Sequence, residues 1–437
     1  MQAKRIIVAG AGLAGLTAAR ELERAGASVT VVEARDRAGG RVWTIRDGFA
    51  DGQYGELGGE FIDAGHEAVH HLCDEFGLRR VRVLRGGFTH RFRDRDGRPR
   101  VSRTRPWQEL ELSLAPLRRQ WLAARGDPSA ESVREIAAIS LREWLVRQHA
   151  DHETHAMADA LRGFFLADPD DLSVLPVIEQ VMSGGSPAQA EIFRLEGGND
   201  RLVDALVRSL DRTPRLCHRL IAIAQSTDRI VATVIDRHGQ QQQLEADAMV
   251  VTLPASALRD VTITPGLPDP QGRAISGLRY GQATKVLVQT TRDVFARRRA
   301  RAFGTDDVYL GAFWDASEEQ RHGASSMLAF LGGGSASAGL RNRVAQGVDH
   351  LMSALCWLGM AGADARAMRA ATWEDDPWAR GGYAYFDPGF DPALRPYLAQ
   401  PAGRLAFAGE HTSARWQGYM NGAVESGIRA AHELIST

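Results

Sequence analysis

The amino-terminal segment carries a hydrophobic pattern that predicts a strand, a helix and a second strand. An apolar run at residues 6–9 is short enough for a buried strand, and apolar residues three positions apart from Leu13 to about Glu23 predict a helix. A second apolar run at residues 29–32 predicts the next strand, and Glu33 closes it. The segment therefore has the order and length of a βαβ unit.

Glycine spacing inside this unit indicates a dinucleotide site. Gly10, Gly12 and Gly15 follow G-x-G-x-x-G spacing. The first permits a tight turn, the second lets the backbone approach a pyrophosphate, and the third lets the helix pack on the strand. The helix N-terminus supplies free N–H groups and a partial positive charge for the phosphates. Glu33 stands where a carboxylate can accept hydrogen bonds from ribose hydroxyls.

Between residues 64 and 190 the pattern changes to one that favours helices. Residues 133–146 carry an amphipathic stripe, which predicts a single helix with its apolar face in the core. Ser132 and Glu135 have the spacing of a capping box at the start of that helix.

After Arg194 the patterns typical of strands return. Residues 230–235 are rich in β-branched side chains, and the strand at 250–253 stops at Pro254, which cannot donate to a ladder. Further strands are predicted over residues 280–288, 308–314 and 326–331, and a helix over residues 344–358.

Composition narrows the classes of function. At 437 residues the chain suits two domains, and its net charge of −1 gives no reason to expect nucleic acid or an anionic membrane as partner. Cys73, Cys217 and Cys356 form no C-x-x-C pair, so neither a metal site nor a disulfide framework is expected. No apolar run is long enough to cross a bilayer, and the first strand leaves no room for a signal peptide, so a cytoplasmic protein is expected.

Lysine is nearly absent from the chain. Among 53 basic residues, Lys4 and Lys285 are the only lysines. The arginine bias by itself says nothing about function. A chain that uses arginine almost everywhere, yet has lysine at an interior-looking position, indicates a need for the smaller ammonium group at Lys285.

Two further glycine pairs follow the βαβ unit. Gly39 and Gly40 stand between arginines in an R-x-x-x-G-G-R motif at residues 35–41, which gives a second loop able to approach a phosphate or a ring closely. Gly58 and Gly59 belong to an E-L-G-G-E-F motif that directly precedes Ile62.

These motifs, in this order, resemble the flavin-containing amine oxidases, which include monoamine oxidases, polyamine oxidases and L-amino-acid oxidases. In that family the dinucleotide is FAD. The resemblance implies an α/β fold in which a Rossmann-like FAD-binding domain is interleaved with an α+β substrate domain of mixed sheet and helices. The FAD-binding domain would comprise residues 1–63, 191–262 and 400–437, and the substrate domain residues 64–190 and 263–399.

More markers of the family lie near the carboxyl terminus. A short strand is predicted to end at Gly409 and Glu410, and a helix to begin near Tyr419. The resemblance implies that Glu410 binds the ribityl chain and that Tyr419 is one of two aromatics that hold the amine before the flavin. N–H groups at the helix start can face a flavin carbonyl, and small residues such as Ala423 and Gly427 predict close packing on the cofactor.

Two more residues near the flavin follow from the resemblance. In the family, a lysine at the position of Lys285 holds a water against flavin N5 and assists the reaction of reduced flavin with oxygen. Covalently flavinylated monoamine oxidases have a cysteine after their paired glycines, whereas Tyr383 follows Gly382 here. FAD is therefore expected to bind non-covalently. Tyr383 or Tyr385 is expected to form one wall of an aromatic cage, with the packing of a turn as the alternative.

The predicted site residues form a catalytic group and a cofactor-binding group. Glu60 and Asp63 lie where polyamine oxidases present an acid to an amine, and the alternative is that they cap a turn or pair with an arginine. The expected catalytic residues are Lys285, Tyr419, Tyr383 and Glu60. The expected FAD-binding residues are Gly10, Gly12, Leu13, Ala14, Gly15, Glu33, Ala34, Arg35, Gly39, Gly40, Arg41, Gly58, Gly59, Glu60, Gly409, Glu410, Gly418, Tyr419, Met420 and Ala423.

The resemblance implies oxidation of an amine C–N bond by FAD. Hydride leaves the α-carbon for flavin N5, the imine is hydrolysed to a carbonyl compound and ammonia or an amine, and oxygen is reduced to hydrogen peroxide. The implied partners are a small amine and molecular oxygen, and a homodimer is compatible with these features. Three alternatives stay open: an L-amino-acid oxidase, an FAD-dependent desaturase or C–C oxidase of the same architecture, and a flavin-binding protein without catalysis.

Overall fold

The protein is built from several β-sheets with helices packed against them. The computed structural model describes residues 3–102, 105–184, 191–295, 300–320, 325–359 and 364–436. The strands are β1 (Arg5–Ala9), β2 (Ser28–Val32), β3 (Thr44–Ile45), β4 (Gly55–Glu56), β5 (Ile62–Asp63), β6 (Arg80–Val83), β7 (Phe88–Arg93), β8 (Pro99–Ser102), β9 (Ile192–Leu195), β10 (Arg219–Gln225), β11 (Ile230–Ile235), β12 (Gln241–Ala246), β13 (Ala248–Val251), β14 (Thr262–Thr264), β15 (Arg279–Tyr280), β16 (Ala283–Thr290), β17 (Ala302–Thr305), β18 (Ala312–Asp315), β19 (Ser326–Gly333), β20 (Ala365–Thr372), β21 (Ala384–Tyr385) and β22 (Leu405–Phe407).

Helices connect and cover these strands. The α-helices are α1 (Leu13–Arg24), α2 (Glu67–Glu75), α3 (Arg105–Ala123), α4 (Glu131–Ala137), α5 (Leu141–Arg147), α6 (His152–Ala160), α7 (Arg162–Phe165), α8 (Val174–Gly184), α9 (Asp200–Arg208), α10 (Ala255–Leu258), α11 (Asp269–Gly277), α12 (Ser335–Ala345), α13 (Val348–Ala354) and α14 (Met420–Ile435). Short 3-10 helices lie at Cys356–Leu358, Pro392–Leu398 and Glu410–Thr412. In the described part of the chain, these helices include none with the length and apolar character that a membrane span requires.

The predicted βαβ unit forms one half of a parallel sheet with the strand order β2-β1-β13-β22. Its amino-terminal helix packs closely because of glycine: a Cβ on Gly15 would lie 1.9 Å from the carbonyl oxygen of Gly10. A Cβ on Gly427 of α14 would lie 2.3 Å from the carbonyl oxygen of Ala14. The prediction that Gly427 thins α14 for the cofactor is therefore wrong, because this glycine lets α14 pack against α1.

A second, larger sheet has the strand order β20-β16-β19-β18-β17-β7-β8. Its neighbouring strands are antiparallel except β17 and β7, which run parallel. All eight residues of β16 are buried, and β16 pairs with β19 on one side and β20 on the other. This strand carries Lys285, which is 5 % exposed, so the prediction that this lysine lies in the interior is confirmed.

Several sequence-based predictions of secondary structure differ from the structure. Residues 133–146 form two helices, α4 and α5, because the chain breaks at 138–140 and Ser140 restarts it by accepting a hydrogen bond from the Glu143 amide. The predicted cap at Ser132 is wrong, since α4 begins after Ala130 without a side-chain cap. The helix predicted at 344–358 is also divided, at Gly347, whose φ is +102°. The mainly helical stretch 64–190 also contains β6, β7 and β8.

Candidate active site

A cavity of about 1660 Å³ connects the β1–α1 loop with the face of β16. Its volume exceeds the 300–1,000 Å³ of typical small-ligand pockets, so it has room for a large cofactor together with a substrate. All the predicted FAD-binding residues except Gly15 line this cavity, as do Lys285, Tyr383 and Tyr419. Gly15 has a packing role instead, against the carbonyl group of Gly10.

Main-chain atoms line one end of the cavity. Gly10 has a φ of +105° and Gly40 a φ of +56°, conformations that side chains disfavour, and a Cβ on Gly40 would be in ordinary contact with the Gly12 Cα, at 3.5 Å. Glu33 ends β2 here. Its carboxylate accepts hydrogen bonds from the amides of Ala11 (2.7 Å) and Arg35 (2.9 Å). The second glycine loop is thus fixed against the first, as the motif spacing predicts.

An ion pair between Arg41 and Glu410 lines the cavity. Arg41 donates to the Glu410 carboxylate (2.8 Å) and to the carbonyl oxygen of Gly382 (2.8 Å). Burial lowers the pKa of the Arg41 guanidinium, but its interactions with Glu410, Tyr280 and Asp376 together outweigh burial and the net shift is upward. The same carboxylate accepts a hydrogen bond from the Gly418 amide (2.8 Å) and so holds the loop before α14. Glu410 therefore holds two segments of the wall, around Arg41 and before α14, a role that its motif did not reveal.

Lys285 reaches the cavity wall from β16. Its ammonium donates to the Glu60 carboxylate (2.6 Å) and to the Gly58 carbonyl oxygen (3.1 Å), and it lies 5.2 Å from the ring centre of Trp314. Glu60 also pairs with Arg194 (2.7 Å). Of the two predicted alternatives for Glu60, pairing with an arginine is the one that the structure shows. An amine would have to displace these partners to reach its carboxylate.

Aromatic side chains also line the end of the cavity that Lys285 reaches. Tyr419 has its ring centre 5.7 Å from that of Trp416 and 6.3 Å from that of Phe164, both nearly edge-on. The Tyr383 hydroxyl donates to the Phe164 carbonyl oxygen, and the ring contacts Gly418. Burial raises the pKa of both tyrosine hydroxyls, which therefore stay neutral at ordinary pH. Tyr385 also lines the cavity, and burial raises its pKa to about 12.

A carboxylate and a neutral imidazole lie next to Tyr419. Burial raises the pKa of Asp63 to about 6 and lowers that of His66 to about 3. The His66 Nδ1 accepts a hydrogen bond from the Asp63 amide (3.0 Å), so the remaining proton of the neutral ring is on Nε2. That nitrogen lies 3.8 Å from the Asp63 carboxylate, too far for a hydrogen bond.

Comparison with known proteins decides the family. The family model described as "Flavin containing amine oxidoreductase" matches residues 13–435. The chain belongs to the flavin-containing amine oxidoreductases. It is 30 % identical to the flavin-dependent L-tryptophan oxidase RebO of Lentzea aerocolonigenes, over 99 % of this chain and 98 % of the relative. It is 23 % identical to amine oxidase B of Cavia porcellus, over 99 % of this chain and 86 % of the relative.

Solved structures of flavin amine oxidases share the fold. Cyclohexylamine oxidase from Brevibacterium oxydans superposes with a TM-score of 0.85 at 23 % identity, covering 100 % of this chain and 99 % of that chain. Membership of the family makes the protein an FAD-dependent amine oxidase that acts on small amines. This confirms the predicted cofactor and enzyme class, and it decides against the desaturase and non-catalytic alternatives.

The residues of the cavity fit an FAD of this family. The open backbone at Gly12 and Gly40 leaves room for a pyrophosphate, and Glu33 ends the strand beside it, where a ribose would lie. Among the described residues, no cysteine lines the cavity, which agrees with non-covalent binding. No group of metal-ligating side chains occurs in the parts of the chain that the structure describes.

Sequence reasoning missed three residues of the substrate end. Arg194 pairs with Glu60, Trp314 donates its indole N–H to Glu60 (2.8 Å), and Phe164 contacts both tyrosines. The available signal for Arg194 was a charged residue inside an apolar stretch with a strand pattern, which indicates a buried charge that needs a partner. In the structure this residue is 2 % exposed. The contacts of Trp314 and Phe164 depend on sheet register and on a one-turn helix, which local sequence does not specify.

Proposed function

We propose that the protein oxidises a small amine without a carboxylate group by hydride transfer to FAD, and that it passes the electrons to oxygen. One observation carries the proposal: Tyr383, Tyr419 and Lys285 line one cavity with the glycine loops. Tyr383 packs in a cluster with Leu331, which is the cross-strand partner of Lys285. The aromatic wall and the ammonium therefore belong to the same end of the cavity.

The chemistry that bound FAD supplies is acceptance of a hydride from the amine α-carbon at N5, followed by reaction with oxygen to give hydrogen peroxide. The protein positions the amine and excludes water. The rings of Tyr383 and Tyr419 offer electron-rich faces to an amine or its ammonium form. Lys285 uses two of its three N–H donors on Glu60 and Gly58, which leaves the third for a water at the cavity.

Asp63 is the carboxylate that best fits the charge of an incoming ammonium. With a pKa of about 6 it is ionised at pH 7 and above, where most amines still carry a proton. It lies close enough to Tyr419 for its negative charge to help raise the pKa of the Tyr419 hydroxyl. We assign to Asp63 the attraction of the amine to the aromatic wall.

A second candidate is an L-amino-acid oxidase, favoured by the 30 % identity with an L-tryptophan oxidase. Such an enzyme needs a cation for the substrate carboxylate. Of the arginines that line the cavity, Arg35, Arg41, Arg380 and Arg395 are already paired with acids, whereas Arg219 and Arg415 are exposed and lie over tryptophan rings. Arg415 lies 5.0 Å from the ring centre of Trp416, which contacts Tyr419, so it is the candidate cation beside the aromatic wall.

Tryptamine and L-tryptophan separate the two functions, because they differ by one carboxylate. Each is mixed without oxygen with the FAD-loaded protein, and loss of the visible flavin absorbance is followed. We expect bleaching by tryptamine or by other amines of a panel such as benzylamine, cyclohexylamine and putrescine, and peroxide on admission of air. Bleaching by L-tryptophan alone would establish the second candidate, and no bleaching by any amine would contradict the proposal.

A further inference from the structure

Four buried charged side chains lie together where Lys285 reaches the cavity. Lys285 pairs with Glu60, Glu60 with Arg194 (2.7 Å), and Arg194 with Glu319 (2.7 Å). Their side chains are between 2 % and 6 % exposed. Two positive and two negative charges cancel, so the cluster can exist in the interior, whereas loss of one member leaves a buried charge without a counter-ion.

Glu60 is the link in this cluster. Its Oε1 accepts a hydrogen bond from the indole N–H of Trp314 (2.8 Å) and lies 2.7 Å from Nη2 of Arg194, and its Oε2 accepts a hydrogen bond from Lys285 (2.6 Å). Burial by itself would raise the pKa of Glu60, but Lys285 and Arg194 outweigh burial and the net shift is downward. The carboxylate is therefore ionised and held from both sides.

We propose that Glu60 is a positioning residue that fixes the place and the positive charge of the Lys285 ammonium at the cavity wall. The inference rests on the proposed function, in which Lys285 assists the reaction with oxygen. Without the Glu60 charge, the ammonium would be buried near the Arg194 guanidinium with no direct counter-ion. Burial without a counter-ion can lower the pKa of a lysine by up to about 3–5 units, so that it becomes neutral at a lower pH than in water.

Other titratable groups lie near the cluster and could themselves change the pH dependence of the reaction with oxygen. Glu319 faces Arg194, and Asp315 accepts from Arg194 through its carbonyl oxygen while its carboxylate pairs with Arg301. Burial raises the pKa of Glu56 to about 7, and this carboxyl group interacts with both Glu60 and Lys285. A change in pH dependence near neutrality must therefore be assigned by removing Lys285 from the same background.

The test uses Glu60→Gln, Lys285→Met and the double variant, each loaded with FAD. The flavin is reduced with one equivalent of dithionite, so no amine substrate is needed, and its reaction with oxygen is followed by stopped flow between about pH 6 and pH 9. We expect Glu60→Gln to approach the wild-type rate at low pH and to fall about tenfold or more at high pH, towards the Lys285→Met rate. The double variant should lack this pH dependence.

A second measurement does not depend on oxygen. The reduction potential of the bound flavin in Glu60→Gln should fall towards that of Lys285→Met over the same pH range, because a nearby positive charge favours the reduced form. A Glu60→Gln protein that binds FAD and keeps the wild-type rate and potential at every pH would overturn the inference. So would an equal pH dependence in the double variant, which would assign the titration to Glu56.

Glu60→Asp covers the case in which Glu60→Gln does not fold. The shorter side chain keeps the charge but withdraws the carboxylate from Lys285, so we expect a slower reaction with oxygen at all pH values and no new pH dependence. A wild-type rate in Glu60→Asp would contradict the positioning role. Failure of the proposed function would appear separately, as the absence of bleaching by amines in the wild-type protein.

Discussion

The two ends of the cavity are held by different kinds of interaction. At the end near the β1–α1 loop, the shape comes from backbone: at Gly10 and Gly15 main-chain segments meet where a side chain would clash, since a Cβ would lie 2.4 Å from the Thr252 hydroxyl oxygen at Gly10 and 1.9 Å from the Gly10 carbonyl oxygen at Gly15. At the other end, the shape comes from charged and aromatic side chains such as Lys285 and Glu60, which are 225 residues apart in the sequence. The first end depends on local sequence, and the second on how distant strands pair.

This difference indicates how each end can be changed. At the backbone end a side chain on Gly10 or Gly15 would clash, so substitutions at these two positions should abolish folding or FAD binding as a whole. The side-chain end carries paired charges, so substitutions there should change rates and pH dependence while the fold survives.

Gly15→Val should have the largest effect. A Cβ at this position would lie 1.9 Å from the Gly10 carbonyl oxygen, so α1 would have to move away from β1. We expect a loss of about 4 kcal/mol or more in the free energy of unfolding, together with loss of FAD. Urea unfolding and the ratio of flavin to protein absorbance measure both.

Gly272→Ala is the matched control for this substitution. Gly272 lies in α11, and a Cβ there would meet no atom within 4 Å. Replacing a helical glycine by alanine at an unhindered position stabilises by about 0.4–1 kcal/mol. Equal stability of the Gly15→Val and Gly272→Ala proteins would contradict the view that the backbone end is sterically closed.

Lys285→Met should lower the rate of the reaction with oxygen by on the order of a hundredfold, because it removes a donor and a charge placed at the cavity. FAD content should change much less. The chain offers a close control in Lys4, the other lysine, whose ammonium donates to the Leu434 carbonyl oxygen (2.8 Å). Stopped-flow oxidation of the reduced protein compares the two variants, and equal rates in Lys285→Met and Lys4→Met would remove the role assigned to Lys285.

Glu33→Ala should reduce FAD retention without abolishing folding. The substitution removes a charged acceptor for the Ala11 and Arg35 amides and for a ribose hydroxyl, which is worth about 1.5–3 kcal/mol, or about 10- to 150-fold in the dissociation constant. The FAD content of the protein after dialysis measures this loss of affinity. Asp36→Ala, an exposed acid of the same loop, is the control. Full occupancy in Glu33→Ala would contradict the ribose assignment.

Much of the backbone end could be predicted from the sequence. The strand predicted at 6–9 is β1, Arg5–Ala9, and the helix predicted from Leu13 is α1, Leu13–Arg24. These elements follow from periodicity and from glycine positions, which act within a few residues. The domain boundaries stay a prediction, because the segments of the two proposed domains share sheets: β5 and β6 both pair with β9.

The substrate end could be predicted only in part. Lys285 stood out because lysine is rare in this chain, and the structure places it at the cavity. For its partner Glu60 the sequence leaves both an amine and an arginine open as partners, because no local pattern shows that Arg194 approaches it through β9. Likewise, β7 was missed because it pairs with β17, far along the chain. Such contacts are fixed by sheet register, which sequence periodicity leaves open.

Asp63→Asn should have the smallest effect, and its sign tests whether the substrate end keeps a free charge. Burial raises the folded-state pKa of Asp63 from 3.8 to about 6, so the folded protein binds the proton more tightly than the unfolded chain does. The free energy of unfolding contributed by this group therefore falls as the pH rises from about 4 through about 6. The side chain is 29 % exposed, which limits the loss to about 1–2 kcal/mol. Asparagine has the same shape without the charge, so Asp63→Asn should be more stable than the wild type at pH 7 and nearly equal to it near pH 4, as measured by urea unfolding at both pH values.

The same variant should bind amines more weakly at pH 7, because the attracting carboxylate is gone. A less stable variant at pH 7 would mean that Asp63 is paired in the folded protein, and the contrast between a closed backbone end and a charge-bearing substrate end would then have to be redrawn.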